Sequence, residues 1–195
     1  MHAGALELVG KHCDIEERMK LVPATARVRG VLFRPIQAQL QKRGLLDAYQ
    51  AYFGEKRGAI PFYPLTDYLL RLAVAGALVT TPSRLHEGMF SICKGNASEI
   101  VESVLGRALL RLLARDPVRL TEQGLAARRQ TMAYGHWSIV RHGERSIEMV
   151  YENEYTWIDS AIAGSAVGTF EACGLTPKIE TRLVDRFNGS TLIEW

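Results

Sequence analysis

The chain has 195 residues, 47% hydrophobic and 23% charged, with a formal net charge of +3. That composition suits one sizeable core, so a single domain over residues 1–195 is expected, with residues 1–13 as a loosely held extension. No run of five or six like charges concentrates the small excess, which leaves a nucleic-acid partner without support. The longest apolar stretch, residues 72–79, falls far short of the ~20 residues that span a membrane.

Residues 1–10 lack a basic stretch ahead of an apolar core, so no secretory leader is expected. Cys13, Cys93 and Cys173 are odd in number and far apart, which fits reduced thiols in a cytoplasmic protein. Residues 1–11 read as a loose terminus or a short helix. From Asp14, acidic then basic residues suit a short helix closed by Pro23. Residues 27–33 read as extended, with Gly30 marking a close backbone approach. Pro35 fits the first turn of a helix with Ile36, Leu40, Tyr49 and Tyr52 on its apolar side, up to Gly54. Phe62 and Tyr63 anchor the loop that follows.

Thr66 is then expected to cap a helix carrying Leu69, Leu70, Ala73, Val74 and Ala77, ended by Thr80-Thr81-Pro82. Ser83 opens another with Leu85, Met89, Phe90 and Cys93. Asn96 with Glu99 resembles a capping box that starts a further helix, apolar from Ile100 to Leu113. On its other side Arg107, Arg111 and Arg115 form either a solvated stripe or a contact for an anion or partner.

The last third, residues 130–195, reads as hairpin, helix, hairpin. Trp137 and Ile139, then Ile147, Met149 and Tyr151, alternate with polar residues across a turn at 141–144. Gly135 suggests a bulge in the first strand. Trp157, Ala161, Ile162, Ala166, Val167 and Phe170 recur at helical spacing up to a left-handed cap at Gly174. Ile179, Thr181 and Leu183 lead to a turn at Asn188-Gly189 and return through Thr191, Ile193 and Trp195. The fold class expected is α/β of the α+β type, with helices packed on a four-stranded antiparallel sheet.

The ordered motifs Asp14-Ile15-Glu16-Glu17-Arg18, Val28-Arg29-Gly30-Val31-Leu32-Phe33, Tyr63-Pro64, Asp67-Tyr68-Leu69-Leu70-Arg71-Leu72, Gly106-Arg107-Ala108-Leu109, Asp116-Pro117, Tyr134-Gly135 and Ile193-Glu194-Trp195 carry a resemblance. Over residues 14–195 the chain resembles a paralogous family of unknown function expanded in myxobacteria. It departs from that pattern at Cys93-Lys94-Gly95, where a Leu-Gly-Arg-like step is usual. More distantly, the hairpin, helix, hairpin end with Ala163-Gly164 and Gly168 resembles the superfamily of 4-vinyl-reductase domains, haem nitric-oxide-binding domains and TRAPP vesicle-tethering subunits. The resemblance implies helices on an antiparallel sheet, a cavity between them and frequent homodimers. It also implies small hydrophobic or tetrapyrrole ligands, or a protein-binding platform. Fold alone does not choose among these.

No residue set makes a catalytic or metal signature. His86 is the histidine best placed for haem, yet the Tyr-x-Ser-x-Arg signature of haem-binding relatives is missing: Trp137-Ser138-Ile139-Val140-Arg141 stands instead. His136 and His142 lie ~20 Å apart along a strand at ~3.3 Å per residue, too far to share zinc. Cys93, followed by Lys94 and a helix start, is the thiol nearest to an activating context, against the plainer reading of a small buried hydrophobe. Glu148, Glu152 and Glu154 read as an exposed acidic strand face.

Tyr68, Phe90, Cys93, Trp137, Trp157, Gly164 and Gly168 are the candidate ligand-site residues. Each has a packing alternative: plain core for the aromatics, and close packing of helix on sheet for the glycines. A non-enzymatic cytoplasmic sensor or adaptor for a small apolar ligand or a partner protein is the function expected, with no cofactor specified. The alternatives are a ligand-free interaction module and a cysteine-dependent enzyme.

Overall fold

The computed structural model describes residues 2–54, 57–102 and 116–195, without the side chains of 97–102. The chain forms two compact units, Met1–Ile92 with Thr131–Ala133, and Cys93–Gln130 with Tyr134–Trp195.

In the first unit the amino-terminal residues are a packed helix, α1 (Ala3–Val9), which buries Ala5 and Val9. After it come α2 (Ile15–Leu21), β1 (Arg27–Arg29), α3 (Phe33–Lys42), α4 (Leu46–Phe53) and β2 (Phe62–Pro64). The helix α5 (Leu65–Val79) is buried from Tyr68 to Ala77 on nearly all sides, as its continuous apolar run dictates. It begins one residue after Pro64, so Thr66 lies inside it and caps nothing. β1 pairs with β2 on one side and with β3 (Met132–Ala133) on the other, all antiparallel. Gly30 does mark a close approach: a Cβ there would sit 1.6 Å from the Gly58 carbonyl oxygen.

The next helix, α6, runs unbroken over Leu85–Glu102. Asn96 is therefore interior to a helix rather than its cap, and Cys93 lies in mid-helix. At the crossing of α5 and α6, a Cβ on Gly88 would fall 2.0 Å from the Gly76 carbonyl oxygen, so the two backbones meet without side chains between them. Arg107, Arg111 and Arg115 lie outside the described residues.

The second unit contains α7 (Pro117–Thr131, its last residue counted with the first unit) and a four-stranded antiparallel sheet. Its strands are β4 (His136–Gly143), β5 (Ser146–Glu152), β6 (Lys178–Leu183) and β7 (Gly189–Glu194), in the order β4-β5-β7-β6. Between the hairpins lie a π-helical turn, Ile158–Ile162, and α8 (Ala163–Ala172). This is the expected α+β architecture, hairpin, helix, hairpin. One core cluster joins Ile147, Met149, Tyr151 and Ile193 of the sheet to Ile158, Ile162, Ala166 and Phe170 of the helix. Period two from the strands thus meets spacing of four from the helix.

α8 ends as its sequence predicts. Gly174 has φ +75°, its N–H donates to Glu171 O at 2.9 Å, and the Leu175 N–H donates to Phe170 O at 3.1 Å. These two bonds are those of the Schellman cap.

Two turn readings are corrected. Gly135 precedes β4 in a left-handed conformation, φ +58°, and a Cβ there would be 2.6 Å from Asn153 O, so it serves a tight passage and not a bulge. Gly189 is the first residue of β7, paired with Leu183, and the connection is the longer loop 184–188. Asp185 Oδ1 organises that loop, accepting hydrogen bonds from the backbone N–H groups of Phe187 and Asn188.

Candidate functional site: an apolar cavity beside a buried carboxylate

Within the second unit, α7, α8 and one face of the sheet line a half-open cavity of about 130 Å³. Leu120 and Leu125 line it from α7, Trp137 and Met149 from β4 and β5, and Ile162, Ala166 and Phe170 from the helix opposite. Gly124 of α7, exposed to solvent, also lines it. Three hydroxyl-bearing residues also line the cavity, Thr121, Ser165 and Thr169. Each hydroxyl donates to the carbonyl four residues back: Thr121 to Pro117 at 2.8 Å, Ser165 to Ala161 at 3.1 Å and Thr169 to Ser165 at 2.8 Å.

Behind Trp137 lies a residue that the sequence pattern misplaced. Glu154 is 0% exposed. Its carboxylate accepts from Trp137 Nε1 at 2.7 Å, Arg128 at 2.9 Å, the Thr156 hydroxyl at 2.6 Å and the Thr156 backbone N–H at 2.8 Å, with the Tyr134 hydroxyl at 3.2 Å. The Arg128 guanidinium stacks over the rings of Trp137 and Tyr134, 4.5 and 4.9 Å from their centroids. Period two put Glu154 on the exposed face with Glu152. Asn153, at φ 52°, breaks that period and turns the next side chain inward. Asparagine's tolerance of this conformation was the available signal. The Glu154 N–H also donates to Phe187 O at 2.8 Å, and the Asn153 N–H to Asn188 Oδ1 at 2.9 Å, which fastens the 184–188 loop to this turn.

Of the seven sequence-predicted ligand-site residues, Trp137 lines the cavity. Tyr68 and Phe90 belong to the first unit, where the Tyr68 ring packs 5.5 Å from Phe33. Trp157 and Gly164 are buried in the second unit away from the cavity wall. Gly168 serves close packing against α6 rather than the sheet: its Cβ would lie 2.1 Å from Lys94 O. Cys93 is buried on the same stretch of α6, and burial pushes its thiol up to about 12 against a weaker opposing interaction with the Ser165 side chain. The activating context expected of a helix start is missing because α6 runs through it. Among the described residues no group of three or more His, Cys, Asp or Glu side chains could hold a metal ion, and no helix is long and apolar enough to cross a membrane.

Residues 20–195 match the family model described as protein of unknown function (DUF2378). The chain belongs to this family. No curated protein matches it. Among solved structures, the fold is similar to H-NOX proteins. One is the Fe(II) unliganded protein from K. algicida, with TM-score 0.66 and 14% identity, over 85% of this chain and 95% of that one. Another is a mutant H-NOX protein from S. oneidensis in the Fe(II) ligation state, with TM-score 0.64 and 8% identity, over 85% and 95%. A third, from Shewanella woodyi, has TM-score 0.58 and 14% identity, over 85% and 93%. At these identities the likeness is one of fold.

Two further similar structures concern haem, one describing haem distortion in the H-NOX family and the other haem redox potential altered by protein-induced porphyrin distortion. The cavity residues of this chain do not fit haem. Sites for drug-sized ligands and cofactors occupy ~300–1,000 Å³, at least about twice the volume present. Among the described residues no histidine, cysteine or tyrosine lines the cavity, and the Met149 thioether has no imidazole opposite. Residues 103–115 contain no histidine, cysteine or tyrosine. His86 sits half-buried on α6 in the first unit, and His142 pairs with Glu148 at 2.9 Å on the outer face of the sheet.

Proposed function

We propose that this chain is a non-catalytic sensor or adaptor module that binds a small apolar molecule in the cavity beside Trp137. The observation that carries the reading is the cavity itself. It is a half-open apolar recess between helix and sheet, where apolar side chains line a concave surface. The ligand-binding character of the similarly folded H-NOX proteins agrees with it, and the small volume directs it to occupants smaller than haem.

A nucleophilic role for Cys93 has no support, since a thiol held near 12 carries almost no thiolate at neutral pH. A second reading, a module that binds a protein partner or a second copy of itself, is favoured by Leu183 and Val184. They are 51% and 85% exposed where β6 passes into a loop that Asp185 and Asn188 hold in place.

Native mass spectrometry of the purified full chain tests the first reading. The expected result is an extra small-molecule mass that disappears from an Ala166→Leu variant whose circular dichroism is unchanged. A clean mass from cells and from extracts rich in apolar metabolites overturns it.

A further inference from the structure

β6 is an outer strand of the order β4-β5-β7-β6, so one of its edges faces no described strand. In an antiparallel ladder, successive residues turn their N–H and C=O groups alternately toward the neighbouring strand and away from it. Just beyond the last ladder pair, the Val184 N–H donates to Asn188 O at 2.9 Å. Lys178, Glu180 and Arg182 therefore turn toward β7, and Ile179, Thr181 and Leu183 present their main-chain groups to the open edge. Among the described residues no other backbone group bonds to them there.

Such an edge is a template for a further strand unless something blunts it. β4, the other outer strand, is blunted: its ladder shifts register between Arg141 and Gly143, an irregularity that bends an edge away. β6 keeps one register along its whole length and contains no proline.

The side chains of β6 are complementary to themselves. In an antiparallel pairing with Thr181 opposite its own copy, Glu180 faces Arg182 and Ile179 faces Leu183 on both sides of the axis. Glu180 and Arg182 are exposed and lie on one face of the strand, where they pair at 2.9 Å. Leu183, exposed, and Ile179, half-buried, lie on the other. Val184, also exposed, comes opposite the aliphatic stem of Lys178. Moving the axis to Glu180 sets that residue against itself and Lys178 against Arg182, and moving it to Arg182 sets two guanidinium groups together. Like charges directly opposite oppose pairing, so one register is favoured.

We propose that β6 pairs with β6 of a second copy of this chain, antiparallel about Thr181, and joins the two four-stranded sheets edge to edge. The proposal rests on the second reading above and gives it a surface and a register. A two-fold pairing closes on itself, so its product is a dimer and not a fibre.

Sedimentation velocity of the full chain over a range of concentrations tests it. A reversible dimer is expected. Glu180→Arg and Arg182→Glu each set like charges opposite one another at both ends of the pairing, and each is expected to weaken the dimer about tenfold or more. The double variant E180R/R182E restores opposite charges and is expected to return within about threefold of the unaltered chain. Both side chains are solvent-exposed, so circular dichroism should stay native in all three. Leu183→Pro removes an N–H that faces the open edge and not β7, and is expected to leave a monomer.

A double variant that stays as weak as the single ones overturns the register. A dimer indifferent to both charge reversals and to Leu183→Pro overturns the β6 pairing while self-association stands. A natively folded chain that is monomeric at every concentration, or that grows into larger assemblies, overturns the proposal; pairing with a different protein is then the part of the second reading that survives.

Discussion

At the scale of single residues, Glu154 is where energetics and the candidate site meet. An isolated carboxylate with no exposure would be costly to bury, and here two side-chain oxygens are shared among four donor residues. Removing one partner of such a pair leaves the other charge stranded. Glu154→Ala should therefore destabilise the protein by about 3–5 kcal/mol, read as a lower urea midpoint. Replacing Glu152, its exposed neighbour, should change the midpoint little. Strand alternation places these two glutamates alike. What separates them is one asparagine with a left-handed backbone, a local event that a period-two pattern carries no trace of. Trp137, by contrast, was legible as a cavity candidate because a large aromatic on the inward face of a strand must meet the helix packed above it.

Elements were easier to read than their contacts. Strand alternation and helical spacing placed both hairpins and α8, and the glycine after it forms the cap its position implies. Nothing local warned that α6 would continue through Asn96, because capping residues are also tolerated inside a helix when packing holds both sides. Glycine roles divide in the same way. Gly168 faces backbone: a methyl group there would overlap Lys94 O, and Gly168→Ala should cost about 1–3 kcal/mol through overpacking. Gly174 has open space but φ +75°, so Gly174→Ala should cost about 1–2 kcal/mol through backbone strain alone. Thermal unfolding of the two variants separates the mechanisms further: a Lys94 substitution cannot relieve the first clash, which involves main chain, and a Gly174→Asn change should recover part of the second loss.

For the whole molecule, the buried ionisable groups predict a response to alkali. Burial pushes Cys93 up to about 12 and Cys13 up to about 11 from an ordinary 9.0, and raises Tyr49 and Tyr151 as well. These groups remain protonated in the folded chain over a range where the unfolded chain releases its protons. Stability is therefore retained below about pH 9 and falls as pH rises from 9 toward 12, by up to ~1.4 kcal/mol per pH unit for each group. Urea titrations at pH 8, 9 and 10 check this, and Cys93→Val should flatten the decline. Cys93 and Tyr151 belong to the second unit while Cys13 and Tyr49 belong to the first, so the response is expected in both. Composition speaks only to the amount of core, not to its partition. How the chain gathers into two units depends on which segments pair across long separations, such as Met132 with Val28, and no local pattern encodes that pairing.

The wide turn before α8 has one more implication. The Ile162 and Ala163 N–H groups reach back five residues, to Trp157 and Ile158, so this turn holds one residue more than a regular helix would. Deleting solvent-facing Asp159 would restore ordinary spacing and leave the flanking segments in phase, whereas a deletion after Ala163 would swing Phe170 out of the core. Length variation within this lineage should therefore cluster on a largely buried helix, where loops are usually the only place that tolerates it.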